Sequence, residues 1–266
     1  QINILIGTII ASFEASAVSY LYFADRIYQI NLAIAGIAVG TVSLPVLAEA
    51  IKRKKLTKVF NVQNKSIELS LLLSIPASLG LIIASYEIVN ALFGYGTFSS
   101  EDVSSTSKAL KYFGYGIPAF ALIKVLSNFF FARDNTKTPF YISLFIVFLN
   151  VIISLSFFKE IGFIIIPIST SISTWAGVII YVILLSNYKF LYYEKKFFIN
   201  IFKIILSTTI MSLFLIYNLE LFAGNLEYLS KYKSISLLFI VSFVATIYLI
   251  SCYLLGVLNI KNYKTN

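Results

Sequence analysis

The sequence predicts an all-α fold, a polytopic transmembrane helix bundle, and three observations predict it. Of 266 residues, 59% are hydrophobic and only 12% are charged, about half the charge of an ordinary soluble domain. The apolar residues run together in stretches of about 20, the length a helix needs to cross the hydrocarbon of a bilayer. Lysine and arginine gather in alternate connections between those stretches, as they do in cytoplasmic loops. Mean hydropathy is +0.87.

Taken in order, residues 2–13 (INILIGTIIASF) are apolar but too short to cross. No basic region precedes them, so a signal peptide is not expected. The chain opens at Gln1 inside this segment, and the expectation is a truncated first helix of a longer protein. Seven spans are predicted at 17–46, 62–86, 109–132, 138–158, 161–186, 198–219 and 234–258. Pro45, Pro76, Pro118 and Pro167 fall within or near the ends of these spans. Membrane helices tolerate such kinks where neighbours satisfy the freed carbonyls, and broken helices often line transport sites. A plain packing kink is as good a reading for each. Residues 47–60 (LAEAIKRKKLTKVF) read equally as an interfacial amphipathic helix or as a basic loop.

Loop charge sets the orientation. One side carries the cluster from Lys52 to Lys65, then Arg133 and Lys137, then Lys189, Lys195, Lys196 and Lys203, and finally Lys261 and Lys264. The other carries Lys108, Lys111, Lys159, Lys231 and Lys233 among six acidic residues. The basic side and the C-terminus are therefore expected to be cytoplasmic. Tyrosines and phenylalanines at 192, 193, 197 and 198 fit an interfacial aromatic belt.

The net charge of +9 does not point to nucleic acid, because the basic residues lie in short clusters between spans rather than on one soluble face. The expected neighbour is the lipid bilayer. The chain has no histidine and a single cysteine, Cys252, within an apolar run. That leaves no disulfide within the chain, no Cys/His metal site and little acid–base chemistry. Neither an enzyme nor a bound cofactor is expected.

Two charges lie well inside a span, Asp25 and Arg26 in SYLYFADRIYQINLA. Each costs roughly 2.5–3.5 kcal/mol at bilayer depth on insertion scales, so a partner or an aqueous cavity is implied. Ser19, Tyr22, Arg26 and Gln29 recur at i, i+3, i+7 and i+10, one polar stripe on an apolar helix. Arg26 offers a fork of donors that matches a phosphate, and the competing reading is a buried interhelical ion pair. Asp25, about 100° away, would hold a neighbouring helix or a cation. Lys124, also within a span, would snorkel or face a cavity. Glu14 and Glu68, near segment ends, are expected to be solvated. Asn150, Ser154, Ser156 and the run Ser169–Thr174 form a polar enrichment across two adjacent spans. Small hydroxyls usually mean close helix packing, and grouped oxygens could also ligate a monovalent cation.

The stretch QINILIGTIIAS…SYLYFADRIYQINLAIAGIAVGTVSLPVLA resembles the MurJ/MviN lipid II flippase family. The match runs through Gln1–Asn3, Tyr22-Phe23-Ala24-Asp25-Arg26 and Gly36…Leu44-Pro45. It continues in FFFARDNTKTPF at 129–140, FLN at 148–150 and STSISTW at 169–175. The resemblance implies two six-helix lobes around a cavity, followed by two extra helices. This chain would be the second lobe (residues 1–190) plus the final pair (residues 191–266), and the N-terminal lobe would precede Gln1. It implies flipping of lipid II, the undecaprenyl-diphosphate-linked peptidoglycan precursor, across the bacterial cytoplasmic membrane by alternating access. Arg26, with Asp25, Tyr22 and Gln29 beside it, would line the diphosphate cavity. Some members resemble a sodium-binding pattern; here Asn150 and Thr170 keep it, while Gly7 and Ser154 stand at its carboxylate positions. Coupling to Na+ or to the membrane potential would belong to the same pattern, and the departures at Gly7 and Ser154 speak against a Na+ site. The alternatives are a polysaccharide-precursor flippase, a multidrug antiporter of the same superfamily, or a non-transporting membrane scaffold. A drug antiporter would want cavity carboxylates in place of Arg26.

Overall fold

The computed structural model describes the backbone of residues 2–258 and, apart from residues 2–4, 37 and 38, their side chains. Gln1, Lys261 and Lys264, used above, and the side chain of Asn3 lie outside the described residues. Every regular element described is helical. A short α1 (Ile2–Ala11) leads into one continuous rod made of α2 (Ala17–Leu32), a π-helical segment (Ala33–Ala38) and α3 (Val39–Lys52). α4 (Leu56–Ile83) returns, and a short α5 (Ser85–Phe93) lies at its end. α6 (Ser100–Gly114) and α7 (Ile117–Phe131) together make the next crossing. The hairpin of α8 (Lys137–Ile161) and α9 (Ile165–Asn187) follows. Last come α10 (Lys195–Leu221), the single turn α11 (Ala223–Leu226) and α12 (Lys233–Leu254).

Six runs are long and apolar enough to cross a membrane, and one of them, Lys137–Asn187, folds back on itself as α8 and α9. The seven predicted spans are therefore all present. The 47–60 stretch is not an interfacial helix, and the basic connection within it is only three residues long, Arg53, Lys54 and Lys55. α3 runs to Lys52, Lys54 turns the chain in the left-handed region (φ 54°), and α4 starts at Leu56. The basic residues thus form the tight turn between two membrane helices and the helix ends beside it. Asp134 after α7 and Lys189 after α9 adopt the same conformation (φ 58° and 56°). At all three turns the following N–H bonds back five residues, Lys55 to Ala50, Asn135 to Phe130 and Phe190 to Leu185, closing the helix's free carbonyls.

The prolines divide by position. Pro118 and Pro167 stand in the first turns of α7 and α9, where a missing N–H costs nothing, and only Pro45 and Pro76 lie inside helices. The α6–α7 crossing begins much earlier than its hydropathy suggests. Ser99 and Asp102 form a reciprocal capping box, with the Ser99 N–H donating to Asp102 at 2.8 Å. Asp102 also accepts the Tyr20 hydroxyl at 2.9 Å, tying α2 to α6.

In lipid the apolar tails solvate leucine as well as a neighbouring helix does, so packing and buried hydrogen bonds must hold the bundle. The α6–α7 crossing is the hub: 72% of its apolar window is buried, against 17% for the α8–α9 run. Ser78 donates to Gly114 O at 2.8 Å, and Ser171 donates to Tyr112 O at 2.7 Å, so small residues bring α4 and α9 against it. Three apolar clusters stack along the bundle. Leu21, Val89, Leu110 and Phe163 centre one at the acidic end. Leu47, Phe129, Phe130 and Tyr181 centre another at the basic end. The third joins α10 and α12 to α4 and α5 through Leu72, Ile204, Ile240 and Cys252. Cys252 is buried there, as a small apolar side chain would be.

Candidate functional site

The polar stripe lies on the outside of the described chain. α2 buries Ala17, Leu21, Ala24, Ile27 and Tyr28 against the bundle, while Ser19, Tyr22, Arg26 and Gln29 are all exposed. Arg26 sits nine residues into its helix, about 14 Å along the axis. Its Nη2 donates to the Tyr22 hydroxyl at 2.9 Å, and its guanidinium carbon stands 4.7 Å from the Tyr22 ring centroid. No carboxylate lies within ion-pair distance of it; among the described residues the ion pair found is Arg53–Glu49 at 2.7 Å. The tyrosine one turn back thus orients a guanidinium whose remaining donors stay open. Asp25 accepts from the Gln29 amide one turn on. The four candidates form two i,i+4 pairs on one helix, a cation with its ring and a carboxylate with its amide.

The rod changes register just beyond them. The Ala33–Ala38 segment is a π-helical turn, a feature frequent at functional sites. α7 braces it: Asn128 Nδ2 donates to Gly40 O at 2.6 Å, and Ser70 of α4 donates to Ala35 O at 3.4 Å. Gly36 permits the approach, since a Cβ there would meet Ala121 Cα at 3.3 Å and Lys124 Cγ at 3.4 Å. The stem of Lys124 therefore lies over Gly36, with the residue exposed overall. Asn128 was not singled out from sequence; its only signal was an amide in the middle of an apolar run.

The second candidate group is closed. Asn150 Nδ2 donates to Thr170 Oγ1 at 2.9 Å, joining α8 to α9. The Asn150 Oδ1 accepts from Ser154 and Ser169, each at 3.2 Å, and those two hydroxyls lie 2.6 Å apart. As arranged, the oxygens are used by one another, and the amide turns a donor toward Thr170. Gly7, packed so that a Cβ would meet Ile166 at 3.3 Å, adds no ligand. No group of three or more His, Cys, Asp or Glu that could hold a metal ion is found among the described residues.

Three charged residues are placed differently from expectation. Glu14 accepts from the Phe163 N–H at 2.7 Å, and Glu68 accepts from Asn200 Nδ2 at 3.1 Å, so each bridges two elements instead of standing in solvent alone. Lys233, counted above as a loop charge, is only 2% exposed. Its ammonium donates to Asn90 Oδ1 at 3.2 Å, to Tyr228 O at 2.8 Å and to Gly94 O, with the Tyr95 and Tyr228 rings 4.1 and 4.9 Å away. It locks α12 to α5 and the turn after it. No pattern around it in the sequence foretold this, because only Tyr228 is near in sequence and Asn90 and Gly94 lie more than 130 residues away.

The family model described as "Lipid II flippase MurJ" matches residues 1–237. A probable lipid II flippase MurJ of Rickettsia prowazekii is 34% identical over 98% of this chain and 52% of its own length. One from Rhizobium meliloti is 44% identical over 61% of the chain and 30% of its own length. This chain therefore spans about half the length of the first of these relatives. Among solved structures, a lipid II flippase MurJ in an inward closed conformation superposes with a TM-score of 0.78 at 27% identity, covering 96% of this chain and 50% of that one. A MOP-superfamily transporter from Pyrococcus furiosus shares the fold at 15% identity, with a TM-score of 0.60 over 94% of this chain and 57% of its own.

Proposed function

Because the chain belongs to the lipid II flippase MurJ family, we propose that it forms about half of a flippase carrying lipid II across the bacterial inner membrane for peptidoglycan synthesis. Residues 1–190 are then the C-terminal transport lobe and residues 191–266 the final helix pair. The basic helix ends and the C-terminus face the cytoplasm. Arg26 carries the reading. It is an open guanidinium without a carboxylate partner, on a polar stripe that this chain leaves uncovered. Such a stripe faces water or protein in a membrane, and a second lobe of the same size supplies the other wall. In that cavity the guanidinium binds the diphosphate, Tyr22 fixes its direction, and Gln29 keeps Asp25 from turning toward it. Rocking of the two lobes then exposes the site to either side in turn. The Asn150–Thr170 pair acts as a clamp between α8 and α9, and a cation would have to displace its hydrogen bonds to bind there.

The test is rescue of a flippase-depleted bacterium by the full-length gene. The unaltered gene restores growth and cell shape, and Arg26→Ala at equal membrane abundance does not. Full rescue by Arg26→Ala would overturn the reading.

A further inference from the structure

The α6–α7 crossing is broken halfway. It runs over 32 residues from Ser100 to Phe131, and Tyr115 and Gly116 at its middle belong to neither helix. A break at that depth is costly unless each freed carbonyl finds a donor, because hydrocarbon supplies none. Here three carbonyls accept from side chains of other helices. Ser171 of α9 donates to Tyr112 O at 2.7 Å, and Ser78 of α4 donates to Gly114 O at 2.8 Å. The indole N–H of Trp175, an exposed residue of α9, donates to Tyr115 O at 2.9 Å.

The three caps are not equivalent. In an unbroken α-helix Tyr112 O accepts from the Gly116 N–H, and Tyr115 O accepts from the Ala119 N–H. Gly116 N–H instead bonds Phe113 O at 2.9 Å, and α7 begins with Phe120 N–H on Gly116 O at 3.0 Å. Both α9 caps therefore stand in for bonds that the crossing could make for itself. Gly114 O differs, since its helical partner would be residue 118 and Pro118 has no N–H. It needs Ser78 whether the crossing is broken or straight. The donors at the break are served less well than the acceptors. Gly116, the N-cap of α7, has no side chain to hold the first turn, where Ile117 and Ala119 are buried. Amides at a helix start have no partner within that helix. Gly116 also lets α9 come close, because a Cβ there would meet Ser171 Oγ at 2.9 Å.

We propose that the α6–α7 crossing is a two-state joint that exchanges its α9 caps for backbone bonds of its own. In the broken state Ser171 and Trp175 hold the α8–α9 hairpin to the crossing. In the straight state the N–H groups of Gly116, Ile117 and Ala119 take the carbonyls of Tyr112, Phe113 and Tyr115. The hairpin is then released, while Ser78 keeps α4 in place. The hairpin suits the moving part, since only 17% of its apolar window is buried. α7 turns with the joint, and through Asn128 on Gly40 O it takes with it the rod that bears Arg26.

The experiment is residue-resolved amide hydrogen exchange and thermal melting of the full-length protein in detergent. Ser171→Ala combined with Trp175→Phe removes both α9 caps and keeps a ring at 175. The expected result is exchange at Ile117 and Ala119 about fivefold slower than in the parent, the worth of one neutral hydrogen bond. Phe120, bonded alike in both states, is the internal reference. Plain loss of packing would speed exchange, so the sign separates a joint from a fixed break. Ser78→Ala should lower the melting temperature, because neither state then caps Gly114 O. Adding Pro118→Ala should restore it, because residue 118 then donates to Gly114 O. Faster exchange at Ile117 and Ala119 overturns the proposal, and so does failure of Pro118→Ala to restore the melting temperature. Trp175→Phe alone should slow Ala119 in the same direction, and it decides the matter if the double variant does not fold.

Discussion

Arg26 and Lys233 are two cations with opposite fates. Arg26 is embedded in the middle of an apolar span, yet it ends on the outer face of the described chain with a single tyrosine for company. Lys233 stands at the polar edge of a span, yet it is wrapped by three oxygens and two aromatic faces. Depth in the sequence and burial in the fold are thus different quantities. A charge whose donors are consumed is part of the framework, and one whose donors stay open is free to meet a ligand.

The sharpest way to break that contrast is to measure both residues by both readouts. If the full-length protein is the flippase proposed above, Arg26→Ala in it should lower lipid II transport in reconstituted vesicles by about ten- to a hundredfold, the worth of one charge-assisted hydrogen bond in a binding step. Its melting temperature in detergent should not move, because no other residue depends on the guanidinium. Lys233→Met should do the reverse. It leaves the Asn90 and Gly94 oxygens buried without their donor, a loss of about 1–3 kcal/mol. Thermal melting should show that loss, while transport per folded molecule stays within about twofold. If Lys233→Met melts like the parent, the cage is not part of the framework.

Asn128→Ala tests a smaller effect between these extremes. It removes one of two side-chain donors to Gly40 O, the other being the Ser43 hydroxyl at 3.2 Å, at a cost of about 1 kcal/mol. Because it acts where the Arg26 helix is braced, faster hydrogen exchange should be confined to residues 33–43. Uniform acceleration along the whole chain would mean that the brace holds the bundle and not the rod. The smallest effect is expected at Glu87, at the rim of α5 and outside the spans. Burial raises its carboxyl above the ordinary range, against a weaker opposing backbone hydrogen bond. A folded state that binds its proton more tightly loses stability as pH climbs from the ordinary carboxylate range through the raised value. Glu87→Gln should therefore melt slightly higher than the parent at pH 8, and the gap should close on acidification to pH 4. A gap that widens toward acid would reverse the sign.

Much of the architecture was legible because it depends on local pattern. Seven apolar runs became seven crossings, since a span must satisfy its own backbone and needs only length and hydropathy to declare itself. The stripe of Ser19, Tyr22, Arg26 and Gln29 also followed from helical period alone. Less legible was α5, a helix of nine residues and therefore far too short to declare itself as a span. The early start of α6 could have been read from Ser99 and Asp102, whose spacing is that of a capping box.

By itself, then, the sequence determined the class of the fold, the order of its crossings, and the face of α2 on which Arg26 lies. Each of these follows from residues within a few turns of one another. Only the tertiary structure decided that Lys233 is buried, that Asn150 and Thr170 spend their hydrogen bonds on each other, and that Trp175 caps the Tyr115 carbonyl. Those outcomes depend on which helices touch and in what register, and in lipid that choice rests on packing and buried hydrogen bonds between distant parts of the chain.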